Sequence, residues 1–191
     1  MASETGIINS ALRKLGATRI VNRTDGSVSA NIADDLFNDV RDRMLRSGKW
    51  NFAITRAQLA RSGTSDISIF NYIYARPADW LKGLAAWDND QSRGVVDFLL
   101  ENEGYHTSAE EFYIRYIKVV TDANVMTVDF REALAWELAK QMSTPIKTGK
   151  AIRDRLEKDS EGSLSHAKSM DAQEDLPEQQ PEGFWVDDRA R

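Results

Sequence analysis

The chain has 191 residues, with 30 acidic and 25 basic side chains and no cysteine. This length suits one domain or two small ones, and the lack of cysteine excludes disulfides, thiolate metal sites and cysteine nucleophiles. No apolar run approaches the roughly 20 residues that a membrane helix needs, so we expect no membrane segment.

Two helices are predicted at the start of the chain. Between Ser3 and Leu15, apolar side chains recur at helical spacing, and Gly16 follows as a stop signal. A second helix is predicted from about residue 27 to 47, where an apolar side chain recurs at every fourth position. The segment RDRMLRSGK at its end holds four bases, but acids answer two of them at helical spacing (Asp39 to Arg43 and Asp42 to Arg46), so we interpret it as a solvated helix face rather than a nucleic-acid site.

The middle of the chain is predicted to be β-rich. The segment IFNYIYARP alternates in strand fashion, and Pro77 indicates that one strand either ends near the proline or lies at a sheet edge. The segments GVVDFLL and EFYIRYIKVV flank the turn-like ENEGYHTS, so we predict that they pair as a hairpin. Trp50 and Phe52 precede these strands, and we expect them to fill the junction between the helices and the sheet.

Helical spacing returns near residues 127–142 and 150–173. In the first of these helices, Trp136 and Ala139 point to nearly the opposite side from the main apolar stripe. A helix with two apolar faces lies either at the centre of a bundle or against a second chain. We therefore assign Trp136 and Ala139 to a candidate subunit interface.

Together these segments predict an α+β fold with a helical bundle of about four helices. The bundle is discontinuous and is formed by residues 1–52 and 121–173. A β-rich insertion comprises residues 53–120, and an extended C-terminal tail comprises residues 174–191.

The charge imbalance lies at the C-terminus. Met1 to Met170 holds 23 acids and 23 bases, whereas Asp171 to Arg191 holds seven acids and two bases. Such a segment cannot build a core, so we predict that it is extended or disordered in the free monomer. It carries Phe184, Trp185 and Val186, and burial of one such side chain against a partner gains roughly 1.5–3 kcal/mol. We predict a docking segment, with folding back onto the chain's own body as the alternative.

No catalytic, cofactor or metal site is predicted. His106 and His166 are isolated in the sequence, and we expect both to be solvated surface residues rather than ligands. A glycoside hydrolase needs only two carboxylates roughly 5–9 Å apart, and the β-rich region holds two close pairs of glutamates. A charged hairpin tip explains the same glutamates without catalysis, and we favour that interpretation. The four glutamates are Glu101, Glu103, Glu110 and Glu111.

The order of these segments resembles a known family. INSALRKLGA, RMLRSGKWNFA, a β-rich middle and KVVTDANVMTVDFREALAWELAKQMSTPI follow one another between Ile7 and Asp175. The order of these segments and their local sequences resemble the head-to-tail adaptor family of short-tailed bacteriophages (podoviruses), of the tail tubular protein A type. The residues that carry the resemblance most are Leu45, Ser47, Trp50, Asn51, Phe52, Val128, Phe130, Ala133, Leu134, Leu138 and Ala139.

The resemblance implies a structural virion protein without enzyme activity or cofactors. Such adaptors form a ring of twelve subunits, a connector between the portal protein and the tail nozzle protein, around the channel for DNA ejection. The resemblance implies that the helices form the ring wall, that the β-rich part faces the nozzle, and that the C-terminal segment reaches the portal.

Phe184, Trp185 and Val186 are then the candidate portal-docking residues, and genomic DNA passes without sequence-specific binding. We expect synthesis in the host cytoplasm and residence in the virion, with no membrane partner. One relative has been linked to peptidoglycan hydrolysis, so a peptidoglycan-degrading tail enzyme with a carboxylate acid is the alternative function.

Overall fold

The computed structural model describes residues 2–64, 69–89, 96–102, 104–146 and 148–174. Within these ranges the chain forms four α-helices and two antiparallel sheets, which confirms the predicted α+β class. In chain order the helices and strands are α1 (Glu4–Leu15), α2 (Val28–Arg46), β1 (Ile54–Gln58), β2 (Arg61–Thr64), β3 (Tyr72–Tyr74), β4 (Trp80–Trp87), β5 (Leu99–Glu101), β6 (Gly104–Thr107), β7 (Tyr113–Lys118), α3 (Val128–Met142) and α4 (Lys150–Gln173).

Three of the helices begin at a hydroxyl side chain that accepts a hydrogen bond from the first turn. The Oγ of Ser3 caps α1, the Oγ of Ser27 caps α2 and the Oγ1 of Thr127 caps α3. These bonds satisfy backbone donors that otherwise have no partner within the helix. Gly16 ends α1 with a φ of 71°, the left-handed conformation that glycine adopts readily.

Helix α3 packs against α1, α2 and α4. Leu134, Leu138 and Ala139 are fully buried in one apolar core, which the helices share with the adjoining strands. The apolar side chains on several sides of α3 are therefore covered by the chain's own elements.

The two sheets have strand orders β1-β7-β4 and β2-β3-β6-β5. Strand β7 lies at the centre of the first sheet, and its side chains alternate between two cores. Ile117 belongs to the helical core, whereas Ile114 and Tyr116 pack in a second core with Tyr74 and Phe112. The first sheet therefore has the helices on one face and the second sheet on the other.

The predicted hairpin between GVVDFLL and EFYIRYIKVV is wrong. Strand β5 pairs with β6, and β7 pairs with β1 and β4. The reason lies in Gly104, which has a φ of 143° and passes close to the backbone of Tyr74. A Cβ at this position would lie 2.2 Å from the Tyr74 carbonyl oxygen. Glycine lets the chain reverse against its neighbour, so a strand forms within the segment that the sequence indicates as a turn.

Candidate interaction sites

Trp50 and Phe52 lie between the end of α2 and the start of β1. The Trp50 indole is fully buried, and its Nε1 donates a hydrogen bond of 2.9 Å to the carbonyl oxygen of Met44. The ring of Phe130 on α3 packs edge-on against both, with centroid separations of 4.8 Å to Trp50 and 5.0 Å to Phe52. These aromatic side chains join α2, α3 and the first sheet.

Asp171 fastens the end of α4 to this junction. Both of its carboxylate oxygens accept the backbone N–H of Asn51 at 3.2 Å, and its carbonyl oxygen accepts the Asn51 Nδ2 at 3.0 Å. By charge alone, Asp171 groups with the acidic C-terminus, whereas its side chain is buried and holds two distant elements together. Glu174, the last described residue, therefore emerges within one helical turn of the contact with Asn51.

Asn51 also lines an open depression of about 350 Å³ on the first sheet. We call it the basic depression, because it carries two arginines. Arg56 on β1 lies opposite Arg115 on β7 in the antiparallel register. The residues that line the basic depression are Asn51, Ile54, Thr55, Arg56 and Arg115.

The basic depression lies on the helix-facing side of the first sheet, beyond the part that the helices cover. Ile54 and Ile117 pair against the helical core, and the pair of arginines follows two residues farther along the same face. Two more residues along, Tyr113 stacks on Trp87 of β4, with a centroid separation of 6.2 Å and an interplanar angle of 7°. This face thus presents two arginines at opposed positions beside two half-buried aromatic rings.

Strand β5 forms an edge of the second sheet and exposes large apolar side chains. Phe98, Leu99 and Leu100 are 40%, 42% and 43% exposed. Edge strands offer unsatisfied backbone groups for pairing, and exposed apolar residues on such an edge are typical of contact with another chain. We call Phe98 to Leu100 the β5 edge.

Of the two candidate interface residues, Trp136 is half-buried and Ala139 is fully buried in the helical core. The Nζ of Lys14 lies 4.2 Å from the centre of a Trp136 ring and also pairs with Glu132 at 2.5 Å. Trp136 is thus partly exposed in the isolated chain, whereas the chain itself already covers Ala139. Assignment of these residues to a subunit interface stays a prediction.

The expectation that His106 is solvated is wrong. His106 is 4% exposed, because β6 lies between β3 and β5 inside the second sheet. Its Nε2 lies 3.7 Å from a carboxylate oxygen of Glu101, and among the described residues neither ring nitrogen has a hydrogen-bond partner. His166 on α4 is solvated, as expected, with a side chain that is 67% exposed.

The other candidate carboxylates lie in the connection between β6 and β7. Glu111 accepts a hydrogen bond of 3.1 Å from the Tyr113 hydroxyl, and the backbone oxygen of Glu110 accepts one of 2.7 Å from the Tyr74 hydroxyl. These contacts tie the connection to neighbouring strands. Glu103 lies outside the described residues, as do the predicted portal-docking residues Phe184, Trp185 and Val186.

Tyr116 and Glu137 have shifted pKa values and form hydrogen bonds that stabilise the fold. Burial and the hydrogen bond to Asp79 raise the pKa of the Tyr116 hydroxyl to about 12, so this donor stays protonated at neutral pH. Burial alone would raise the pKa of Glu137 on α3, but hydrogen bonds from Lys140, Gln141 and Ser160 hold it below its ordinary value. Glu137 is therefore ionised at neutral pH and links α3 to α4 through Ser160.

Within the described ranges, no group of three or more histidine and carboxylate side chains could hold a metal ion. None of the helices in those ranges is both long and apolar enough to cross a bilayer. Comparison with protein-family models finds no match, and comparison with curated proteins finds none either.

The basic depression and the β5 edge do not follow from the sequence alone. Arg56 and Arg115 are 59 residues apart in the sequence, and only the pairing of β1 with β7 brings them together. The alternation in EFYIRYIKVV does place Arg115 on the same face as Ile117, but it cannot identify the strand alongside. The apolar triplet FLL was visible, yet its exposure depends on β5 being an edge strand.

Proposed function

We propose that this chain is a structural virion protein, a head-to-tail adaptor that joins the portal to the tail nozzle of a short-tailed bacteriophage. The order of its segments and their local sequences resemble the head-to-tail adaptor family. Its mixed helices and antiparallel sheets are compatible with the proposal. The observation that carries the proposal is the β5 edge, where three consecutive large apolar side chains are exposed. A surface of this kind suits a protein that works by contact with other chains.

The proposed organisation follows the segments of the chain. Residues 1–52 and 121–173 form a helical bundle that serves as the ring wall, and the packing of α3 against the other three helices supports this part. Residues 53–120 form a β-rich insertion that faces the nozzle, with the β5 edge as the contact surface. Residues 174–191 form the tail that docks on the portal.

The assembly in this proposal is a homo-oligomeric ring, with twelve subunits as in the family that the sequence resembles. The exposed part of the Trp136 indole contributes to the contact between neighbouring subunits. The ring surrounds the channel for genomic DNA, which passes without sequence-specific binding. The protein acts in the virion as a structural part rather than as an enzyme, after synthesis in the host cytoplasm.

Mixing the purified protein with the portal protein of the same phage genome tests this proposal. Electron microscopy of the mixture should reveal rings of this protein stacked on portal rings. A full-length variant with Phe184→Ala, Trp185→Ala and Val186→Ala should lose portal binding at least about ten-fold, because the loss of even one fully buried apolar side chain removes roughly 1.5–3 kcal/mol. The matched control changes Gln179 and Gln180 to alanine in the same tail and should bind normally.

Two outcomes would contradict the proposal. Failure of the unaltered protein to associate with its portal under any salt condition removes the adaptor role. Clearing of a peptidoglycan gel by the unaltered protein, abolished by Glu101→Gln, would instead support the wall-degrading alternative.

A further inference from the structure

Arg56 and Arg115 form a like-charged pair across two antiparallel strands. Side chains directly opposite one another have Cβ atoms about 5 Å apart, and like charges in this position destabilise a sheet. The arginine ion pairs among the described residues involve Arg23, Arg41 and Arg155 instead. Two adjacent guanidinium groups that no described carboxylate neutralises are suited to bind an anionic group from elsewhere.

The end of α4 lies at the border of this site. Asp171 binds Asn51, which lines the basic depression together with both arginines. The chain continues past Glu174 with the sequence DLPEQQPEGFWVDDRAR, which holds five acids and two bases. Between Glu174 and Glu178 an extended chain spans up to about 14 Å, which is enough to travel along a short strand such as β1.

We propose that the acidic C-terminal residues of this chain, beginning with Asp175 and Glu178, bind in the basic depression through Arg56 and Arg115. The negative charges of these acids complement the positive charges of the two arginines. Because α4 ends at the border of the site, the acids that follow it in the sequence are tethered close to the arginines. Single surface ion pairs are weak. A short tether supplies an effective concentration in the millimolar range, so weak pairs suffice for a ligand on the same chain. The inference concerns the isolated chain and does not depend on the adaptor proposal.

The absence of cysteine makes a direct test simple. The substitution Gln179→Cys in the full-length protein gives a single attachment point for a nitroxide, whose mobility is read by electron paramagnetic resonance. We expect an immobilised component at low salt. The double change Arg56→Gln and Arg115→Gln should lower the ratio of immobilised to mobile label about ten-fold, since each exposed pair contributes a factor of up to about five.

Sodium chloride at 1 M should have a similar effect, because it shortens the screening length to about 3 Å. A second variant, Asp175→Asn with Glu178→Gln, approaches the same contact from the other side and should release the label equally. The matched control is Arg153→Gln with Lys158→Gln, which removes two exposed positive charges from α4. Arg153 lies about 27 Å along the helix from Asp171, so the label should be unaffected. Circular dichroism verifies that each variant is folded.

Three results would overturn the inference. The first is a label that is equally mobile in the unaltered protein and in both charge variants. The second is immobilisation that grows with protein concentration, which would mean that the C-terminal residues bind a neighbouring copy. The third is a label insensitive to Arg56→Gln and Arg115→Gln while these changes abolish binding of duplex DNA, which would identify the depression as a phosphate site for nucleic acid.

Discussion

Glu137 illustrates how single residues stabilise the contact between α3 and α4. Its carboxylate pairs with Lys140 at 2.6 Å and accepts hydrogen bonds from Gln141 at 2.9 Å and from Ser160 at 2.8 Å. The last bond crosses from α4 to α3. Because these donors favour the ionised form, the pKa of Glu137 is lower in the folded chain than its ordinary value of 4.5. Its ionisation therefore stabilises the fold above that ordinary value, and the contribution disappears as pH falls through the folded pKa.

The substitution Glu137→Gln should lower the free energy of unfolding by about 1 kcal/mol at pH 7, because it removes a charge-assisted contact between helices. The difference from the unaltered protein should shrink as pH falls below 4.5, where the native carboxylate also becomes neutral. Urea unfolding at pH 7 and at several lower pH values measures both quantities. Glu157→Gln on the exposed side of α4 is the control, and an equal loss in that variant would refute a specific role for Glu137.

At the level of elements, the helices were predictable and the strand pairing was not. Ser3, Ser27 and Thr127 are local cap signals that mark where a helix begins, and the spacing of apolar residues identifies its length. Strand order depends on partners that lie far apart in the sequence, as with β1 and β7. The burial of His106 is unpredictable for the same reason, since it follows from the strands on either side of β6.

The turn between β5 and β6 depends on Gly104. Any side chain there meets the Tyr74 carbonyl and must also adopt a φ of 143°. We expect Gly104→Ala to lower the free energy of unfolding by about 2 kcal/mol or more. Thermal or urea unfolding of the purified variants measures this loss.

Gly63→Ala is the matched control for that experiment. Gly63 lies in β2 of the same sheet, and a Cβ there has open space around it. This substitution should change stability far less than Gly104→Ala. Similar losses of stability in the two variants would show that the close approach to Tyr74 is not the reason why position 104 requires glycine.

On the scale of the whole molecule, the first sheet separates two surfaces of different character. The helices cover one face of this sheet, and the second sheet covers the other and ends in the β5 edge. In the proposed adaptor these two sides serve different partners, with the C-terminal tail at the portal and the β5 edge at the nozzle. The two contacts can therefore be disabled separately.

The double substitution Leu99→Lys and Leu100→Lys should weaken binding to the nozzle protein of the same phage at least about ten-fold. These two side chains are exposed in the free chain, and the substitutions remove the apolar surface that the proposed contact would bury. Portal binding should be unchanged, whereas replacement of Phe184, Trp185 and Val186 by alanine should have the reverse pattern. Biosensor titrations of both variants against both partners measure the four affinities. Val21→Lys changes a more exposed apolar residue outside the sheets and serves as the control. If either variant keeps its fold but loses binding to both the portal and the nozzle protein, the proposal of separate docking surfaces is contradicted.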